Sequence, residues 1–234
     1  MVGTLYGLGI GPGDPDLITL KALKILQAAP VIAYPAPEDK DSLARAIIAP
    51  HLPGGQKEIV IETPMVPGRF PANDVYDKYS EEIAAELNAG HDVAVLCEGD
   101  PFFFGSFMYI YARLSERFET VVVPGVSSAM ASACQIGMPI TSRYDVLTVL
   151  PAPIPAEDIL RRLQACDAAI IMKVGRHFAK VRDVLGTLDL IDKAHYIEHA
   201  TMDNQVMMPL SEATFEKAPY FSMIIVHKRG EAWK

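Results

Sequence analysis

Cysteine is scarce. The 234-residue chain has three, Cys97, Cys134 and Cys166, each more than 30 residues from the next and without a C-x-x-C pair. That usage supports neither a zinc ribbon nor a disulfide framework, and the chain reads as a reduced, cytoplasmic protein with no metal. Positive charge is also short: 21 Lys and Arg stand against 29 Asp and Glu, a formal net charge of −8. Non-specific nucleic-acid binding needs a basic surface, so no nucleic-acid partner is expected. Anionic small molecules stay open, because a local basic patch can serve them. Only one charge-free stretch, residues 120–142, is long enough to span a bilayer. Pro124-Gly125, Ser127-Ser128, Gly137 and Pro139 interrupt it. A strand, a Pro-Gly turn and a small-residue helix are expected there, and no membrane partner. The first residues, MVGTLYGLGIGPGDP, lack a basic n-region and a cleavage site, so no signal peptide is expected.

Core material is plentiful, with 50% of residues apolar and 21% charged, which excludes general disorder. Short apolar runs at residues 4–8, 31–34, 58–61, 93–97 and 120–123 alternate with helical patterns at 16–27, 42–49, 73–87 and 107–117. This alternation predicts a mostly parallel sheet covered on both faces. In the clearest helix, Asn73 can cap a stripe of Val75, Tyr79, Ile83 and Leu87, and Ala89-Gly90 stops it. Beyond Ser142, strands are expected at 146–150, 168–172, 195–198 and 221–226, with helices near 156–164 and 178–185. The last two strands are joined without a long helix, which predicts a mixed sheet with a hairpin-like element. The fold class is therefore α/β with two α/β domains, 1–140 and 143–234, divided in the turn-rich GMPITSR segment.

Three motifs sit at strand carboxyl ends, where open α/β sheets bind ligands. Gly7 to Pro15 reads G-L-G-I-G-P-G-D-P. Its glycines permit close backbone approach, or simply a tight strand-to-helix turn. The dinucleotide fingerprint fails: starting from Gly7 it meets Pro12, and from Gly9 it meets Asp14. No G-K-[ST] follows, so a Walker loop fails as well. Glu98 to Ser106 reads E-G-D-P-F-F-F-G-S. Its Asp100 can accept from ligand hydroxyls, or it can close an Asx-Pro turn. In P-G-V-S-S-A, Pro124 to Ala129, Ser127 or Ser128 can cap the next helix, and no G-x-S-x-G nucleophile elbow is present. His195 and His199 are four apart in a strand-like run and lack the H-E-x-x-H pattern, so no metal site is expected. Lys173, Arg176 and His177 form a basic mouth or a solvated turn.

These motifs, with a strand ending in Met172 and the late I-E-H-A-T, resemble the S-adenosylmethionine-dependent tetrapyrrole methylases. The paired Gly-Asp-Pro segments and the order of motifs carry the resemblance along the whole chain. Three stretches resemble the branch acting on C20 of precorrin-2: T-L-K-A-L-K-I-L-Q-A-A-P-V-I-A-Y-P, T-P-M at Thr63–Met65, and M-K-V-G-R at Met172–Arg176. The resemblance implies two α/β domains with the donor in a cleft between them, and a homodimer. It implies donor contacts at Pro12, Glu98, Gly99, Asp100, Phe103, Ser127, Ser128, Met172, Ala200 and Thr201. Ala200 stands where the family often has glycine, and Lys173 where many members have glycine.

The implied reaction is methyl transfer from S-adenosylmethionine to the C20 meso carbon of precorrin-2, giving precorrin-3A and S-adenosylhomocysteine. Arg69, Arg143, Lys173 and Arg176 are candidate anchors for the tetrapyrrole's carboxylates. Tyr6, Tyr144 and Glu198 are candidate bases. The alternatives are cobalt-factor II, uroporphyrinogen III or a protein-borne diphthamide precursor as acceptor, or a nucleotide-binding module without chemistry.

Overall fold

The structure, a computed structural model, describes residues 1–64 and 73–233. It divides into two compact units, Met1–Ser127 and Ser128–Lys234. The division thus falls just before a helix, Ser128–Ile136, that packs on a strand of the second unit.

In the first unit the strands are β1 (Leu5–Gly9), β2 (Val31–Pro37), β3 (Lys57–Thr63), β4 (Val93–Cys97) and β5 (Thr120–Val123). The helices are α1 (Leu20–Ala28), α2 (Leu43–Ile48), α3 (Asn73–Asn88) and α4 (Phe107–Leu114). All strand pairings are parallel, in the order β3-β2-β4-β1-β5. Alternation along β4 shows why both faces are covered. Val93, Val95 and Cys97 join Tyr76, Ile83, Leu87 and Phe107 on the face of α3 and α4. Ala94 and Leu96 join Ala22, Leu26, Ile47 and Ile48 on the face of α1 and α2. The connection leaving β1 runs toward β2 and the one leaving β4 toward β5, on opposite faces of the sheet, which is the switch-point geometry of ligand-binding α/β sheets.

Local chemistry sets the helix ends. The helix expected from residue 16 splits into a short 3₁₀ turn, Pro15–Leu17, and α1. Asp14 caps the first through the Asp16 amide, and Thr19, in extended backbone, caps the second through the Ala22 amide. The buried stripe of α3 runs through Tyr76, Tyr79, Ile83 and Leu87, with Val75 only partly buried. Its end is a Schellman motif: Gly90, at φ 90°, donates to Leu87 O at 3.0 Å, and His91 donates to Glu86 O at 3.1 Å.

The second unit holds α5 (Ser128–Ile136), β6 (Leu147–Pro151), α6 (Ala156–Gln164), β7 (Ala168–Met172), α7 (Phe178–Thr187), β8 (Ala194–Glu198), β9 (Val206–Pro209) and β10 (Ser222–His227). The order is β6-β7-β10-β8-β9, with β6 and β7 parallel and β10 antiparallel to both of its neighbours. The hairpin-like element expected near residue 205 is β9, which pairs antiparallel with β8. One core, built on Leu150, Ile171, Tyr196, Ile224 and Phe178, joins this sheet to α6 and α7. The charge-free stretch at 120–142 is β5 followed by the nine-residue α5. Among the described residues no helix is long and apolar enough to cross a membrane.

Candidate active site

In the first unit, the carboxyl ends of β1, β4 and β5 meet backbone to backbone. Gly11 and Gly99 form an isolated antiparallel bridge, with Gly99 N donating to Gly11 O at 2.7 Å. A Cβ built on Gly9 would lie 2.4 Å from Gly125 N, and one built on Gly125 would lie 2.0 Å from Gly99 O. The site rim is therefore main chain: β1 and β5 supply it at positions that accept only glycine, and β4 through Gly99 at φ 67°. Pro12 is buried beside this bridge.

Asp100 fastens two of these loops together. Its Oδ1 accepts from Phe102 N at 2.9 Å and its Oδ2 from Gly125 N at 3.1 Å. The first bond closes an Asx-Pro turn, and the other Gly-Asp-Pro makes the same one, with Asp14 Oδ1 accepting from Asp16 N at 2.9 Å. The turn reading of this motif is therefore what the structure shows. A carboxylate has about four lone-pair sites, so two internal bonds leave room for a ligand donor. Glu98 is half-buried at the end of β4, and burial raises its carboxyl above the usual carboxylate range. Cys97, just before it, is a packing residue whose thiol burial pushes up to about 12. Phe103 is half-buried and meets Phe104 edge-on, with centroids 5.3 Å apart. Ser127 is half-buried at the end of this unit.

In the second unit, Ser128 opens α5. The strand register aligns the end of β7, the start of β10 and the end of β8, with Met172 opposite Met223 and Met223 opposite Ile197. Met172, Lys173, Arg176, Glu198, Ala200 and Thr201 therefore share one end of this sheet. Lys173 and Arg176 are exposed, and Ala200 is buried. Thr201 N donates to Gln205 Oε1 at 2.7 Å, and Gln205 reaches Gln135 of α5 at 3.2 Å. The Glu198 carboxylate accepts from the Tyr196 hydroxyl, and Tyr196 is fully buried.

Two of the candidate bases, Tyr6 and Tyr144, stand apart from these sites. Tyr6 lies in the middle of β1, opposite Ala94 and Val121, and packs against the α1–α2 core instead of reaching the strand's carboxyl end. Tyr144 is 96% exposed, on the same loop as Arg143, which is also exposed. Arg69 lies outside the described residues. Among the described residues no three His, Cys, Asp or Glu side chains are grouped to hold a metal ion.

Sequence reasoning missed the lock under the Arg143–Tyr144 loop. Asp145 accepts from Ser142 N at 2.6 Å, from Arg229 at 2.8 and 2.9 Å, and from the buried His227 at 3.2 Å. Its side-chain partners lie more than 80 residues away, so no local signal marks it. Arg229 first, then the Ser142 amide and His227, hold the Asp145 carboxyl well below the usual range. A carboxyl lowered on folding adds stability above its unfolded pKa of about 4, and that stability is lost as pH falls through the lowered value. Asp145→Asn should therefore lower the thermal midpoint at pH 7, and its gap to the parent protein should narrow below about pH 4. A gap unchanged across that range would show that the carboxylate charge is not what holds the loop.

Comparison with known proteins agrees with this architecture. The chain is 38% identical over 232 residues to the cobalamin biosynthesis protein CobIJ of Mycobacterium bovis, covering 96% of itself but only 46% of that relative, so it spans about half that protein's length. It is 40% identical over 233 residues to precorrin-2 C(20)-methyltransferase of a Sinorhizobium species, covering 96% of itself and 95% of the relative. It is 32% identical over 235 residues to cobalt-precorrin-2 C(20)-methyltransferase of Salmonella typhimurium, covering 99% of each. The X-ray structure of a cobalt precorrin-4 methyltransferase superposes with a TM-score of 0.75 at 23% identity, over 97% of this chain and 96% of that one. Uroporphyrin-III C-methyl transferase of Thermus thermophilus, complexed with S-adenyl homocysteine, gives 0.70 at 22% identity, over 97% and 92%. The family model for tetrapyrrole (corrin/porphyrin) methylases matches residues 4–215, and the chain belongs to that family.

Proposed function

We propose that this chain transfers a methyl group from S-adenosylmethionine to the C20 meso carbon of precorrin-2, giving precorrin-3A. The observation that carries the reading is the 40% identity to a precorrin-2 C(20)-methyltransferase over nearly the full length of both chains.

The donor fits the residues present. The rim where a Cβ on Gly9 or Gly125 would strike backbone is a place for main-chain recognition, and Asp100 keeps acceptor capacity. Pro12, Glu98, Gly99, Asp100, Phe103 and Ser127 of the first unit would hold it, with Ser128, Met172, Ala200 and Thr201 of the second. When bound, S-adenosylmethionine supplies a methyl group already activated by its sulfonium. The protein's task is then alignment, which can supply about 7–11 kcal/mol of the barrier. Arg143, Lys173 and Arg176, with Arg69, would anchor acceptor carboxylates through charge-assisted bonds. Of the three candidate bases, Glu198 alone stands at a strand's carboxyl end, and the Tyr196 hydroxyl orients it. A cytoplasmic homodimer without a resident metal, acting on a small-molecule tetrapyrrole, completes the reading.

A second reading, cobalt-precorrin-2 as acceptor, is favoured by the Salmonella relative. The test is incubation of the protein with labelled S-adenosylmethionine and enzymatically generated precorrin-2 without oxygen, followed by mass analysis. One methyl added at C20 is expected. Transfer only to the cobalt form would move the assignment to the second reading. No transfer to either, with donor binding intact by calorimetry, would reject both acceptors.

A further inference from the structure

The loop after β4 and the helix α4 present an uncharged aromatic surface. Residues 101–112 read P-F-F-F-G-S-F-M-Y-I-Y-A and carry no charge, in a chain where 21% of residues do. Within this stretch Phe102, Phe104, Met108, Tyr111 and Ala112 are exposed. Met108, Tyr111 and Ala112 stand at i, i+3 and i+4, one face of α4, while Phe107, Ile110 and Leu114 join the core from the other. Phe102 lies edge-on to Tyr111, with centroids 5.1 Å apart, which ties the loop to this helix face.

The loop is wound so that two of its three consecutive phenylalanines face out. Phe104 is at φ 58°, a left-handed conformation that bulky side chains rarely adopt and that persists only where the surroundings enforce it. At the next position, a Cβ on Gly105 would lie 2.6 Å from both Asp100 O and Pro101 O. The first two cations beyond the stretch, Arg113 and Arg117, are answered by Asp77 and Glu81 of α3 at 2.7 and 2.6 Å.

Size and charge select the occupant. Phe102, Phe104 and Tyr111 are 51%, 40% and 37% exposed, and with Met108 they offer on the order of 300 Å² of mainly apolar surface. That is the scale of the apolar centre of a standard interface, which takes about 800 Å² from each partner inside a polar rim. A twofold contact sets a patch against itself, so any charge in it meets its own sign. A chain of net charge −8 repels its copy, and this stretch has no charge to add to that repulsion.

The geometry points to this face, Phe102 and Phe104 with Met108, Tyr111 and Ala112 of α4, as the surface on which a second copy of the chain docks through a twofold contact. This deepens the homodimer of the reading above by naming its surface, and rests on it.

Analytical ultracentrifugation tests it. The parent protein should sediment at twice the 25.6 kDa of one chain. Two double variants, Met108→Glu with Ala112→Glu and Met108→Lys with Ala112→Lys, would set like charges against their own images. Each should sediment as a monomer, its dimer weakened by roughly 100-fold or more. Mixed in equal amounts, the acidic and basic variants should restore the dimer, which two misfolded proteins would not do. A dimer kept by both variants would place the interface on another face and overturn this inference alone. A mixture that stays monomeric would show that the patch does not meet itself, and would overturn it too. A raised KM for precorrin-2 in variants that remain dimeric would give the face to the acceptor instead. A monomeric parent protein would overturn the homodimer and, with it, this inference.

Discussion

Gly125→Ala is expected to abolish donor binding and to lower the thermal midpoint by roughly 6–12 °C, corresponding to about 3 kcal/mol for a chain of this size. The added Cβ would lie 2.0 Å from Gly99 O and 2.7 Å from Gly9 Cα. Ordinary overpacking costs about 1–3 kcal/mol because side chains can turn aside. Here both obstacles are backbone, so the carboxyl end of β5 has to part from β4 and β1. That parting pulls Gly125 N away from Asp100 and opens the rim that the donor is proposed to use. Gly186→Ala is the matched control. Gly186 lies within α7, the nearest atom to its added Cβ is Ile191 Cγ1 at 4.0 Å, and alanine exceeds glycine in a helix by about 1 kcal/mol. Its midpoint should hold or rise slightly. A Gly125→Ala protein with unchanged midpoint and donor affinity by calorimetry would falsify the three-strand rim.

The alternation of apolar runs and amphipathic helices made the first sheet legible, because a strand covered on both faces is apolar at every position, as β4 is. A helix end was legible where its stop is local, as at Gly90. The helix expected from residue 16 hid a break, since Ile18 and Thr19 are extended yet carry ordinary helix-tolerated side chains. Which carboxylates serve structure and which face a ligand was not legible. The partner of Asp100 is an amide 25 residues away, and Asp145 is answered by Arg229 and His227 across the second sheet. Nor could spacing separate Tyr6 from the site: it shares β1 with Gly9 of the glycine rim but packs against a core. Family resemblance supplied candidate positions; geometry then showed which of them share a strand end.

Asp100 shows how a structural and a binding role can be told apart. Asp100→Ala removes the acceptor for Gly125 N and Phe102 N together. Gly125 N is in a partly buried setting, and an amide left without a partner there costs roughly 1–3 kcal/mol. The two loops then lose their tether, and donor affinity should fall by about 100-fold, the size of one lost bond to a charged group. Asp100→Asn should do little better. One oxygen can still accept, but the amide –NH₂ would face a second N–H donor, setting donor against donor. The decisive comparison is therefore the thermal midpoint without donor beside the donor Kd. If the carboxylate pins the loops, both variants lower the midpoint and weaken donor binding in step. If it serves only as a ligand contact, donor affinity falls while the donor-free midpoint stays put. Unchanged affinity in both variants would remove Asp100, and the β4–β5 junction it fastens, from the donor site altogether.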